Sequence, residues 1–139
     1  MSKLLIFLTL TNVIIYGVAT FFNTHLTLFW FVLLVYLLPL ILNSLLVIFT
    51  HQKYKLGSSC LAALTTTVCY LMFSLYFTTR DTFPDFLKNN TKYYDEMQLD
   101  INPNLASLSQ LIFIFLLNFI IICSINIIVR KKVKHRVTR

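Results

Sequence analysis

Four long apolar windows dominate the chain, covering about residues 4–22, 26–49, 56–77 and 105–129. None of them contains Asp, Glu, Lys, Arg or His. Each reaches the roughly 20 residues an α-helix needs to cross a hydrocarbon layer about 30 Å thick. Backbone amides and carbonyls in lipid must be satisfied within the segment, and no alternating polar pattern suggests barrel strands, so the windows predict helices. The predicted fold is an all-α integral membrane protein with four transmembrane helices, forming a single membrane domain over residues 1–139. Pro39 lies well inside the second window, where it frees a carbonyl and predicts a kink. Lys3, the first apolar stretch and the pair Gly17 and Ala19 also resemble a secretory signal with a cleavage site. Asn12 interrupts that stretch and Phe21 and Phe22 extend it, so an uncleaved first helix is the reading adopted.

Between the third and fourth windows the pattern changes. Phe83, Phe86, Leu87, Tyr94, Met97 and Ile101 fall on one helical stripe, and Asp85, Lys88, Asn89, Lys92, Asp95, Glu96 and Asp100 fall opposite. Asn90 is the exception on the apolar side. Thr82, Phe83, Pro84 and Asp85 have the form of a capping box, while Asn102, Pro103 and Asn104 end the pattern. An amphipathic helix over 82–101 is predicted, resting on the bilayer surface or capping the bundle.

Charge orients the windows. Lys3, Lys53, Lys55 and the six basic residues of the tail (Arg130, Lys131, Lys132, Lys134, Arg136 and Arg139) fall on one side, nine against the three of the other, Arg80, Lys88 and Lys92. The positive-inside rule then places both termini in the cytoplasm and the amphipathic segment outside the cell. The tail, residues 130–139, reads as a lipid anchor for an anionic leaflet, at about 1 kcal/mol per basic residue near the surface. All five acidic residues lie between Asp81 and Asp100.

Composition agrees: 58% of residues are hydrophobic, 12% are charged, and mean hydropathy is +0.76. A soluble domain carries about 25% charged residues. The net charge of +7 is therefore a feature of topology, and no nucleic-acid partner is expected.

Candidate chemistry is sparse. The spans hold no ionisable carboxylate or base of the kind that marks proton relays and coupled transport. Cys60, Cys69 and Cys123 form no CxxC pair, and His25, His51 and His135 are scattered, so no metal, cofactor or catalytic residue is expected. The carboxylates of the 82–101 segment need no cation, being explained as a solvated face, and the triplet Asn89-Asn90-Thr91 is too short a glycosylation match to inform. What the spans do contain is uncharged polarity at helical spacing: Thr9, Asn12 and Tyr16, then Tyr36 and Asn43. The third contributes Thr66, Tyr70 and Ser74, and the fourth Ser107, Gln110 and Asn118. Asn12, Tyr16, Asn43, Thr66, Tyr70 and Asn118 are the expected interhelical contacts, with Asn12 meeting Asn118 if the first and fourth helices are neighbours. Ser59, Ala63 and Thr67 form a small-residue ridge for close helix approach. The same faces could instead line a groove for a ligand or partner helix. On the segment outside the membrane, Asp85, Lys92, Asp95, Glu96 and Asp100 are the candidate partner-binding residues.

The segment KLLIFLTLTNVIIYGVAT from Lys3 to Thr20, the LLPLILN of the second window, the acidic segment and the closing KKVKHR resemble, in order and placement, the Msa family of modulators of SarA. These are small membrane proteins of low-G+C Gram-positive bacteria. The resemblance covers nearly the whole chain and transfers no active-site residue. It implies a multi-pass protein of the cell membrane that influences expression of a virulence regulator by relaying an envelope signal or binding a membrane or regulatory protein. The expectation is thus a non-enzymatic regulatory or accessory protein in contact with membrane lipids. The alternative is a membrane protein that binds a small molecule or peptide, as a transporter subunit or immunity protein would.

Overall fold

The structure is a computed structural model and describes residues 2–22, 25–49, 56–94, 97–99 and 101–137. Four helices are long and apolar enough to cross a membrane: α1 (Ser2–Phe21), α2 (Leu28–Phe49), α3 (Leu56–Thr78) and α5 (Leu108–Val137). Between α3 and α5 lie a short helix, α4 (Phe83–Asn90), and an antiparallel pair of strands, β1 (Lys92–Tyr94) and β2 (Met97–Leu99). The chain is a multi-pass helical membrane protein. Phe7, Leu10, Ile41, Met72, Phe113 and Ile120 all point outward, which would be costly in water but is neutral against lipid tails.

The four spans form a bundle in which α1 packs on α2 and α3, and α5 packs on α3 and α2. Hence α1 and α5 stand at opposite corners. Leu4, Leu8, Val47, Ala62 and Ile122 fill one end of the core. Toward the other end a cluster of rings takes over, and Ala62 and Ala63, both fully buried, let helices come close between them.

Where Pro39 predicts a kink, the structure has a π-helical turn at Leu33–Leu37, just before it within α2. Proline has no N–H to give, and the amide of Leu38 just before it reaches back five residues to Leu33 O. The widened turn has a packing consequence. Phe31, Val35, Pro39, Asn43 and Val47 are all buried, at a strict spacing of four. An ideal α-helix drifts about 40° for each such step, so five positions would wrap off the core face. One turn with more residues takes back part of that drift, and the whole length of α2 keeps a single face to the bundle.

The segment after α3 departs from the helix expected over 82–101. Its helical part is α4 alone. Thr91 closes α4 with extended backbone (φ −79°, ψ 124°), and strands follow, paired Lys92 with Leu99, Tyr93 with Gln98 and Tyr94 with Met97. Two causes explain the difference. Thr91, Tyr93 and Tyr94 are β-branched or aromatic and suit strands, and a spacing of three, as from Tyr94 to Met97, also joins facing positions across a tight hairpin. The capping box is not realised either: Thr82 has αR backbone (φ −85°, ψ −4°) and makes no side-chain cap hydrogen bond. A cap oxygen reaches the first-turn amides from extended backbone, whereas Thr82 continues a turn closed by Phe83 N–H donating to Arg80 O at 2.9 Å. Pro84 does stand in the first turn, as expected.

At its far end α5 runs past its apolar window, which closes at Ile128. Its helical backbone continues through Val137, because Lys and Arg are good helix formers and nothing in the run caps it. At its near end Leu105, expected inside the fourth span, lies in a turn before α5 and is buried there.

Candidate functional site

Several buried polar side chains of the spans pair with one another across helices. Near mid-membrane, Asn12 of α1 and Asn43 of α2 face each other as a reciprocal amide pair, Asn12 Nδ2 donating to Asn43 Oδ1 at 3.2 Å and Asn43 Nδ2 to Asn12 Oδ1 at 3.3 Å. The second proton of Asn12 goes to Leu8 O at 2.7 Å, and that of Asn43 to Thr66 Oγ1 of α3 at 2.8 Å. Thr66 in turn donates to Ala62 O at 2.9 Å. Every amide proton of the pair has an acceptor and both amide oxygens accept, which is what burial in a membrane interior demands.

A second network ties α2, α3 and the start of α5. Gln110 Nε2 donates to Tyr36 Oη at 2.6 Å, and Tyr70 Oη donates to Leu105 O at 3.0 Å. The hydroxyls of Tyr36 and Tyr70 are 3.5 Å apart. Since the proton of Tyr70 is committed to Leu105, Tyr36 is the donor between them, and the chain runs in one direction from Gln110 to the Leu105 carbonyl. At the opposite end of the bundle, Asn126 Nδ2 donates to Ser59 Oγ at 2.6 Å.

Of the expected interhelical contacts, Asn12, Asn43, Thr66 and Tyr70 are brought together with partners on other helices. Tyr16 makes ring contacts instead, stacked on Phe73 at 5.1 Å, and its buried hydroxyl has no hydrogen-bond partner among the described residues. The Asn12–Asn118 meeting does not occur, because α1 and α5 are diagonal. Asn118 donates to Ile114 O of its own helix at 2.9 Å, and its buried Oδ1 has no partner among the described residues. Thr9 is exposed. Asn126 was not anticipated; its signal is a lone amide among isoleucines of the last span, opposite the small-residue ridge that Ser59 and Ala63 supply.

α4 caps the end of the bundle away from Asn126 and Ser59. Phe86 is fully buried, with the rings of Phe31 and Phe77 each 5.2 Å away, and Phe83 sits 5.7 Å from Phe77. From Phe77 the ring contacts continue through Phe73 at 5.1 Å to Tyr16 and Tyr70. Asn90, the polar exception on the apolar stripe, donates to Leu26 O at 2.9 Å and to Phe86 O at 2.9 Å, so it pins α4 to the turn between α1 and α2. Asp85, Lys88 and Asn89 face outward. The other candidate partner-binding residues, Asp95, Glu96 and Asp100, lie outside the described residues, as does the side chain of Lys92. So do Arg139 and the side chains of Arg130, Lys131, Lys132, Lys134 and Arg136, the residues assigned to lipid anchoring.

Among the described residues no group of His, Cys, Asp or Glu could hold a metal ion, and Cys60, Cys69 and Cys123 are free and half-buried. The chain matches no protein-family model, no curated protein and no solved structure.

Proposed function

We propose that this chain is a non-enzymatic regulatory or accessory protein of the cell membrane, in which the segment between α3 and α5 meets a partner and the four-helix bundle holds that segment rigidly. The observation that carries this reading is the docking of α4: Phe83, Phe86 and Asn90 are spent on the bundle, while Asp85, Lys88 and Asn89 of the same short helix are left facing outward. A connector needs neither a buried ring cluster nor a side-chain bond to a distant turn. The mutual satisfaction of Asn12, Asn43 and Thr66 favours this reading over a polar ligand groove inside the bundle, because those groups have no donor left for a ligand. The Lys and Arg distribution supports an orientation with both termini in the cytoplasm and α4 outside. The basic tail then lies against the anionic inner leaflet. Resemblance to the Msa family supports an output at the level of a virulence regulator of the SarA type.

The test replaces residues 84–101 with a neutral flexible linker and, separately, reverses charge with Asp85→Lys, Asp95→Lys and Glu96→Lys. Regulator transcript and membrane-inserted protein are measured in the same cells. Loss of the transcript response at normal protein level is expected for both. Full response from the linker variant overturns the proposal.

A further inference from the structure

A groove of about 380 Å³ runs along the outside of the bundle between α1 and α3, in the half nearest α4. Its walls are Val13, Gly17 and Thr20 on one side and Cys69, Met72 and Tyr76 on the other, and its floor is the Tyr16 ring stacked on Phe73. The groove is deep where it is because Gly17 carries no side chain: a Cβ built there would meet nothing within 4 Å. From Val13 to Thr20, and from Cys69 to Tyr76, the helices rise about 10 Å, roughly two-thirds of the ~15 Å depth of one leaflet's hydrocarbon. Along that length the walls offer almost nothing polar. The Thr20 hydroxyl is spent on Tyr16 O at 2.8 Å.

The mouth is different. Tyr76 accepts a hydrogen bond from Arg80 Nη1 at 3.0 Å, and the guanidinium lies 5.6 Å from the centroid of the same ring. Arg80 stands two residues beyond Thr78, where both α3 and its apolar window end. Among the described residues its guanidinium has this hydroxyl partner and no carboxylate one, and most of its planar fork of donors has no partner among them. That fork matches a phosphate.

An apolar channel of acyl-chain depth, with a cation held on the tyrosine that ends one wall, has the vertical order of a phospholipid. We propose that this groove binds one anionic phospholipid of the adjoining leaflet, with an acyl chain against Gly17 and the phosphate on Arg80. A partner helix would need the apolar wall but not the cation above it, and the geometry holds whichever way the protein is inserted.

The test is retention of added lipid by the full-length chain in detergent, read by native mass spectrometry with palmitoyl-oleoyl phosphatidylglycerol, the matching phosphatidylcholine, and soluble glycerol 3-phosphate. With the six basic residues of the tail replaced by Gln, so that only the groove is read, one equivalent of phosphatidylglycerol should bind, about fivefold tighter than phosphatidylcholine, the scale of one basic residue near an anionic headgroup. Arg80→Gln should bring that ratio to about one, and Arg80→Lys should keep most of it. Gly17→Leu and Met72→Trp, both projecting into open space, should each lower retention of both lipids to background with unchanged unfolding in lipid-free detergent. The proposal is overturned by a ratio near one in the tail-substituted chain, by a preference there that survives Arg80→Gln, or by retention in both filled variants. It is equally overturned by glycerol 3-phosphate competing as well as the intact lipid, or by a wild-type dimer that Gly17→Leu dissociates, which would make the occupant a second copy of the chain.

Discussion

The reciprocal pair of Asn12 and Asn43 supports a quantitative test of how the bundle is arranged. Replacing either residue with Leu keeps the branched side-chain shape and removes both interhelical hydrogen bonds, of 3.2 and 3.3 Å, while stranding the partner's amide in a dry core. Hydrogen bonds between membrane helices contribute about 0.6 kcal/mol each on average, with a ceiling near 1.7, so each single substitution should cost about 1 to 2 kcal/mol. Asn43→Leu should be the more costly, because it also deprives Thr66 Oγ1 of its donor at 2.8 Å. The double variant loses the same two bonds only once, so the Asn12/Asn43 cycle should show a coupling of about 1 kcal/mol. A parallel cycle between Asn12 and Asn118 should be additive within about 0.3 kcal/mol, since α1 and α5 are diagonal and Asn118 bonds its own helix. Reversible unfolding in mixed micelles, followed by the fluorescence of Trp30, the sole tryptophan, measures all of these. Coupling between Asn12 and Asn118 together with none between Asn12 and Asn43 would refute the helix arrangement itself.

Phe86→Ala should undock α4, at a cost of about 3 kcal/mol or the whole docking free energy if that is smaller; hydrogen exchange should quicken at the α4 amides while those of α3 stay protected. Asn118→Leu should leave stability unchanged or raise it, because it removes a buried acceptor that has no partner among the described residues. A loss above about 1 kcal/mol in micelle unfolding would mean that the Asn118 oxygen is in fact satisfied. Tyr36→Phe deprives Gln110 of its acceptor and should cost about 1 kcal/mol, whereas Tyr36→Phe combined with Gln110→Leu should recover part of that loss. For orientation, a membrane-impermeant maleimide added to cells should modify Lys88→Cys and spare Lys134→Cys in a background lacking the native cysteines; the opposite pattern would invert the assignment.

The four spans were legible in the sequence because the requirement they meet is local. Every backbone group in hydrocarbon must bond within its own segment, so a run of about 20 apolar residues determines its helix without reference to the rest of the chain. The apolar face of α4 was legible from its helical periodicity, and even its anomaly, Asn90, was visible as a polar residue on the wrong side. Where α4 ends was not, since residues 91–101 carry spacings that fit a helix or a hairpin equally, and extended backbone at Thr91 selects the second. Which helix touches which was not legible either. Asn12, Asn43 and Asn118 are alike as letters, all near mid-span, and only the placement of α1 and α5 at opposite corners pairs the first two and leaves the third to its own helix. The π-turn before Pro39 belongs with these: proline announces a lost hydrogen bond, but the widening that keeps Phe31 and Val47 on one face is chosen by the bundle they pack into. A residue's need for a partner is written in its chemistry, whereas the partner's identity depends on how four nearly interchangeable apolar cylinders are ordered, and that order is decided by packing over the whole tertiary structure.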